Sequence, residues 1–241
     1  MTAPAAPTAA PEKASLIEDF IDILFTPSKV FARRAGGSWA PFFIVAILAC
    51  VLYYVNSGAM SGIMEAETNR AIAAAVEKNP NMTEDQLNGM RSMMEGSMKW
   101  GAIVFMPIML LGLGLVVMIV GKVLGGTIGF GLGVMIASYA YVPKVIEMMG
   151  VAIQALLLDA SNFTGRYSYS LGVGRFMDSS GKQGLYGLLG RIDVFTIWVT
   201  VLLVIGLIHA AKMPRDKAIA AGLILWLIGA LMPLWQIATG A

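Results

Sequence analysis

Stretches 35–64, 100–121, 194–211 and 218–241 of this chain each run for at least 18 residues without an Asp, Glu, Lys or Arg. A helix of about 20 apolar residues crosses the hydrocarbon core of a bilayer, so each stretch is a membrane-span candidate. A fifth run, 133–158, is equally apolar except for Lys144 and Glu147. Charged residues make up only 13% of the chain and mean hydropathy is +0.73. A soluble domain carries about 25% charged residues, so the whole composition reads as that of a membrane protein.

These runs predict an all-α, polytopic fold: a five-helix transmembrane bundle with spans at about 39–60, 100–122, 133–158, 193–211 and 217–237. Short amphipathic helices are expected at the N-terminus and in the first outer loop. The Ala/Pro-rich segment 1–14 reads as a disordered tail, 15–37 as cytoplasmic amphipathic helices and 38–241 as one membrane domain. The tail has no basic n-region, so no cleavable signal peptide is expected. A formal net charge of +2 gives no electrostatic basis for nucleic-acid binding.

Local signals place the helices. Ser15-Leu-Ile-Glu18 is a capping-box pattern, followed by apolar Leu16, Ile17, Phe20, Ile21 and Leu24 on one side and acidic Glu18, Asp19 and Asp22 on the other. Thr26-Pro27 restarts a helix that carries Lys29, Arg33 and Arg34, and Gly36-Gly37 ends it. In the polar excursion 65–99, Asn79-Pro80 separates two helices and Thr83-Glu-Asp-Gln86 caps the second, which is expected to run on into the span at Trp100. The cations nearest the spans (Lys29, Arg33, Arg34, Lys122, Lys212, Arg215, Lys217) favour a cytoplasmic N-terminus and a C-terminus on the periplasmic or outer side.

Order as well as residue type carries a family resemblance. Leu24-Phe-Thr-Pro27-Ser-Lys-Val-Phe31 leads into the first span, and Tyr139-Ala-Tyr-Val-Pro143 falls in the third. Ile192-Asp193-Val-Phe195-Thr-Ile-Trp198 then enters the fourth, followed by Val204-Ile-Gly206-Leu. Over roughly residues 16–237 the chain resembles the Yip family, the Ypt/Rab-interacting membrane proteins with a Yip-one domain, in its prokaryotic branch. The resemblance implies five helices, a cytosolic N-terminus and self-association or association with another membrane protein. Eukaryotic relatives contact Rab-type GTPases through a longer N-terminal region, so that partner does not carry over. With an Ala/Gly-rich, lysine-poor composition, the bacterial inner membrane is the expected location.

Candidate functional residues are few. Lys144 and Glu147, three apart on one helix face, can pair and so offset a cost of about 2.5–3.5 kcal/mol for each charge at a span centre. With Tyr139, Tyr141 and Pro143 they form a candidate intramembrane polar site; Pro143 invites a kink. Gly121, Gly125, Gly129 and Gly133 recur every four residues as a candidate helix-packing stripe. His209 is the single histidine and Cys50 the single cysteine, which leaves no zinc or disulfide framework. Methionines at 90, 93, 94 and 98, with Met60 and Met64, read as adaptable packing rather than a copper path. Asn162-Phe-Thr164 is a glycosylation sequon only in a host that glycosylates, and neither Ser138 nor Ser161 has a base placed by a motif.

The expected function is therefore non-enzymatic and cofactor-free: an integral membrane protein working through helix–helix and partner association, as in membrane organisation or scaffolding. The alternative is a small transporter or channel with a midplane polar site at Lys144 and Glu147.

Overall fold

The computed structural model describes residues 14–58, 61–158, 167, 170–177 and 183–239. The tail 1–13, Met60, Ser161 and the sequon at Asn162 lie outside the described residues, and so do the side chains of Met98 and Lys99. Eleven α-helices account for most of the described chain: α1 Leu16–Phe25, α2 Pro27–Arg33, α3 Ala40–Asn56, α4 Ser61–Lys78, α5 Glu84–Val123, α6 Phe130–Ala140, α7 Val142–Leu157, α8 Gln183–Leu189, α9 Val194–His209, α10 Arg215–Gly229 and α11 Leu231–Thr239. Among the described residues there is no strand, only an isolated antiparallel bridge between Gly172 and Asp193.

The helix starts follow from local side-chain chemistry. Ser15 accepts from the Glu18 amide while the Glu18 carboxylate accepts from the Ser15 amide, so α1 opens with a complete capping box. Thr83 and Gln86 form the same reciprocal pair at the start of α5. From there α5 continues for 40 residues, about 60 Å at 1.5 Å per residue. Only its second half, Ile103–Val123, is apolar enough to cross a bilayer; the first half projects beyond it.

Two helices are long and apolar enough to span: Ile103–Val123 within α5, and Phe130–Gln154 across α6 and α7. α10 and α11, bent by 49° at Ala230, make a third if counted together. α3 and α9 are apolar but only 17 and 16 residues long, about 26 and 24 Å against a hydrocarbon core of about 30 Å. Among the described residues, length and composition thus establish two of the five expected spans, or three with the bent pair.

α6 is the axis of the bundle. Every residue from Gly133 to Ala140 is buried, because α3, α5 and α9 pack around it and Phe31 of α2 reaches Tyr139. A helix apolar on all sides belongs in such a position. The outer surfaces of the surrounding helices stay apolar, with Phe43 and Ile47 on α3, Phe105 and Ile108 on α5, and Leu223 and Leu227 on α10 exposed. An apolar band of this extent is suited to lipid or partner helices, not to water.

Candidate functional site

The run expected as one span stays one candidate span, Phe130–Gln154, interrupted locally at Tyr141, which caps α6 and opens α7. Pro143 occupies the first turn of α7, where a missing N–H leaves no helical bond unmade. Tyr139 joins a polar cluster on the α6 side of this point, Lys144 and Glu147 another on the α7 side.

On the α6 side, Tyr139 is fully buried between Phe20 and Phe31, at ring-centroid distances of 5.6 and 6.1 Å. Its hydroxyl donates to Asp19 Oδ2 at 2.9 Å. Asp19 Oδ1 accepts from Arg33 Nη2 at 2.8 Å, and Asp19 Oδ2 from Arg34 Nε at 2.6 Å. Arg33 Nη2 also reaches Asp22 Oδ2 at 2.7 Å, and Arg34 Nη2 donates to the Ala14 carbonyl at 3.2 Å. Burial by itself lowers the Arg33 pKa, but the hydrogen bonds and charges of Asp22 and Asp19 outweigh it and hold that pKa above the ordinary value.

This arrangement corrects the sequence expectation for α1. Asp19 does not share an exposed acidic face with Glu18 and Asp22; its side chain has no solvent exposure. The exposed edge of α1 is instead partly apolar, with Ile17, Ile21 and Phe25 in the open. A buried carboxylate needs partners, and two arginines from α2 and its cap plus one phenol from α6 supply them. In sequence, the signal was Asp19 standing one helical turn before Ile23, the other buried residue of α1, with two adjacent arginines following.

On the α7 side, Lys144 Nζ lies 2.6 Å from Glu147 Oε2 and 3.5 Å from Asp193 Oδ1. Asp193 is the N-cap of α9: its Oδ1 accepts from the amides of Phe195 and Thr196 at 2.9 and 3.0 Å, and its Oδ2 accepts from the Thr196 hydroxyl. Because its partner is a helix-end residue, Lys144 stands level with the start of α9 rather than halfway along it. Two carboxylates share one ammonium here, and the N-terminal dipole of α9 helps to hold the extra negative charge. Asp193 was read as a helix start; its role as the third charge was not legible from spacing.

The four glycines do not form a stripe on one helix. Gly121 is in α5, Gly133 in α6, Gly129 caps α6, and Gly125 has φ +87 in the turn between them. Gly126 N–H bonds the Gly121 carbonyl at 2.8 Å and Gly125 N–H the Lys122 carbonyl at 2.9 Å, so this is a Schellman stop for α5. The close backbone approach of α5 and α6 is made by Gly133 against Gly114: a Cβ on Gly133 would strike the Gly114 carbonyl oxygen, and one on Gly114 would lie 2.6 Å from Val134 Cα.

Other candidates fall into structural roles. The Ser138 hydroxyl donates to the Val134 carbonyl at 2.7 Å inside α6, so its proton is already committed. His209 is the last residue of α9. Arg191, which sequence reading passed over, lies with its guanidinium 5.5 Å from the Trp226 ring and donates to the Trp226 carbonyl at 3.0 Å, near the end of α10. Burial lowers its pKa from the ordinary value, opposed by Tyr167 and Asp193. No group of three or more His, Cys, Asp or Glu side chains suited to a metal ion occurs among the described residues.

An all-helical membrane protein is thus defined, with its N-terminal helices locked to the buried part of its central helix. The family model for the Yip1 domain matches residues 21–236, and the chain belongs to the Yip family. No curated protein and no solved structure matches it.

Proposed function

We propose that this protein is a non-enzymatic membrane component that acts by associating, through its apolar helix surfaces, with copies of itself or with another membrane protein, in a scaffolding or membrane-organising role. The supporting observation is the exposed apolar face of α5. Only 22% of its spanning window is buried, against 56% for the window across α6 and α7. Ile103, Phe105, Ile108, Leu115 and Ile119 leave that face open to a partner helix as well as to lipid. Internal charges, by contrast, are consumed by internal partners: Asp19 by Arg33 and Arg34, Lys144 by Glu147 and Asp193. That pairing disfavours a transport site at Lys144.

The test is photocrosslinking from positions 105 and 108 of α5 in intact membranes, with native mass analysis of the extracted protein. Adducts of discrete mass are expected; a strict monomer without adducts overturns the reading.

The five-span topology belongs to the same proposal, with α3, the apolar half of α5, α6–α7, α9 and α10–α11 as spans in an inner membrane, N-terminus inside and C-terminus outside. Single cysteines placed at Lys29 and Asp85 in a Cys50→Ser background test it. A membrane-impermeant maleimide added from outside should label position 85 and leave position 29 unlabelled; the opposite pattern inverts the topology.

A further inference from the structure

A cleft of about 490 Å³ opens where α3 ends, against α4 and the projecting half of α5. Tyr53, Tyr54 and Met64 give it aromatic and apolar walls, and Glu65, Glu95 and Arg91 supply its charges. Its serine and threonine hydroxyls have spent their protons. Ser57 donates to the Tyr54 carbonyl at 2.8 Å, Ser61 to the Gly58 carbonyl at 2.8 Å and Thr68 to the Met64 carbonyl at 2.9 Å. What these oxygens still offer is lone pairs. Among the described residues neither Glu65 nor Glu95 is in an ion pair, while Arg91 uses one nitrogen on Asn69 at 3.1 Å.

The cleft is therefore rich in acceptors and π faces, with one cationic donor group at its edge. An ammonium group satisfies the first set, by charge-assisted bonds to carboxylates and by contact with tyrosine rings. A phosphate oxygen satisfies the guanidinium of Arg91. We propose that this cleft binds a phosphodiester bearing a primary ammonium, the headgroup chemistry of an aminophospholipid: the ammonium sits between Glu65, Glu95 and the Tyr53/Tyr54 rings, and the phosphate lies toward Arg91.

Position favours a lipid as the source. Tyr53 and Tyr54 lie in the last turn of α3, the level at which aromatic side chains meet headgroups. Exposed Val51 and Val55 continue the apolar surface along α3 from there, where acyl chains can follow. The site is separate from the α5 face proposed for association and does not depend on it.

The test uses the full-length protein, delipidated in detergent, titrated with short-chain phosphatidylethanolamine, phosphatidylglycerol of the same chain length, and glycerophosphoethanolamine, with occupancy read by native mass spectrometry. Phosphatidylethanolamine should bind with a defined stoichiometry and at least about tenfold more tightly than phosphatidylglycerol. The joint Glu65→Gln, Glu95→Gln variant should abolish that preference, and Arg91→Gln should weaken both lipids; circular dichroism confirms that the variants fold. Equal binding of the water-soluble ester would keep the site and assign it to a free ligand. Equal binding of the two lipids, or a preference that survives the joint variant, overturns the proposal.

Discussion

The Tyr139 hydroxyl donates to Asp19 Oδ2 at 2.9 Å, across 120 positions of sequence. This contact ties α1 to α6. Phe20 and Phe31 enclose the ring, and Arg33 and Arg34 neutralise the carboxylate, so α1, α2 and α6 form one unit.

Removing the carboxylate leaves Arg34 without its ion-pair partner and Arg33 with Asp22 alone. Asp19→Ala should destabilise the protein by about 3–5 kcal/mol, the range for breaking a buried ion pair. Tyr139→Phe deletes only one bond to a charged acceptor and should lower stability by about 1.5–3 kcal/mol. Thermal unfolding in detergent measures both. Limited trypsinolysis should show faster cleavage at Arg33 and Arg34 in Asp19→Ala, as α1 and α2 come away.

The three charges around α7 should behave non-additively. Lys144→Met strands Glu147 and Asp193, and is expected to cost toward the lower end of about 3–5 kcal/mol because the pair retains some solvent contact. The joint Lys144→Met, Glu147→Leu replacement should cost less than Lys144→Met alone, since one stranded charge goes with it. A larger loss in the double variant would refute this account.

Glycine replacement separates packing from turn chemistry. Gly133→Ala should lower stability by about 1–3 kcal/mol or more, because the added methyl meets a backbone carbonyl that cannot step aside. Gly129→Ala meets nothing within 4 Å and should change stability by no more than about 0.5 kcal/mol. Gly125→Ala should destabilise chiefly through its positive φ, by about 1 kcal/mol, since the end of the Lys217 side chain, 3.2 Å from the added methyl, can move aside. Comparable effects at 129 and 133 would restore the single-stripe reading.

Arg191 holds the end of α10 through the Trp226 carbonyl and ring. Its removal should loosen the junction at Ala230 between α10 and α11. Hydrogen exchange over residues 226–239 is expected to accelerate in Arg191→Ala, with the α5–α6 contact unchanged. Arg191→Lys should rescue only in part, because an ammonium cannot both stack and donate in the same plane.

Local sequence signals set most of the helices. Charge-free runs, two capping boxes, the break at Asn79-Pro80 and the restart at Thr26-Pro27 act over a few residues, so their outcome does not depend on distant chain. The family was likewise present in residue type and order. The burial of Gly133–Ala140, and the direction each helix faces, came from packing. Leu16, Phe20 and Leu24 made Asp19 look like the polar side of α1, yet a rotation of one residue's arc turns it inward, and only Arg33, Arg34 and Tyr139 set that rotation. Lys144 and Glu147 announced their pairing by spacing; Asp193, 49 positions from Lys144, could not. Side-chain direction along a helix is a local property, but the partner it meets is fixed by packing, and packing is not written at any one position.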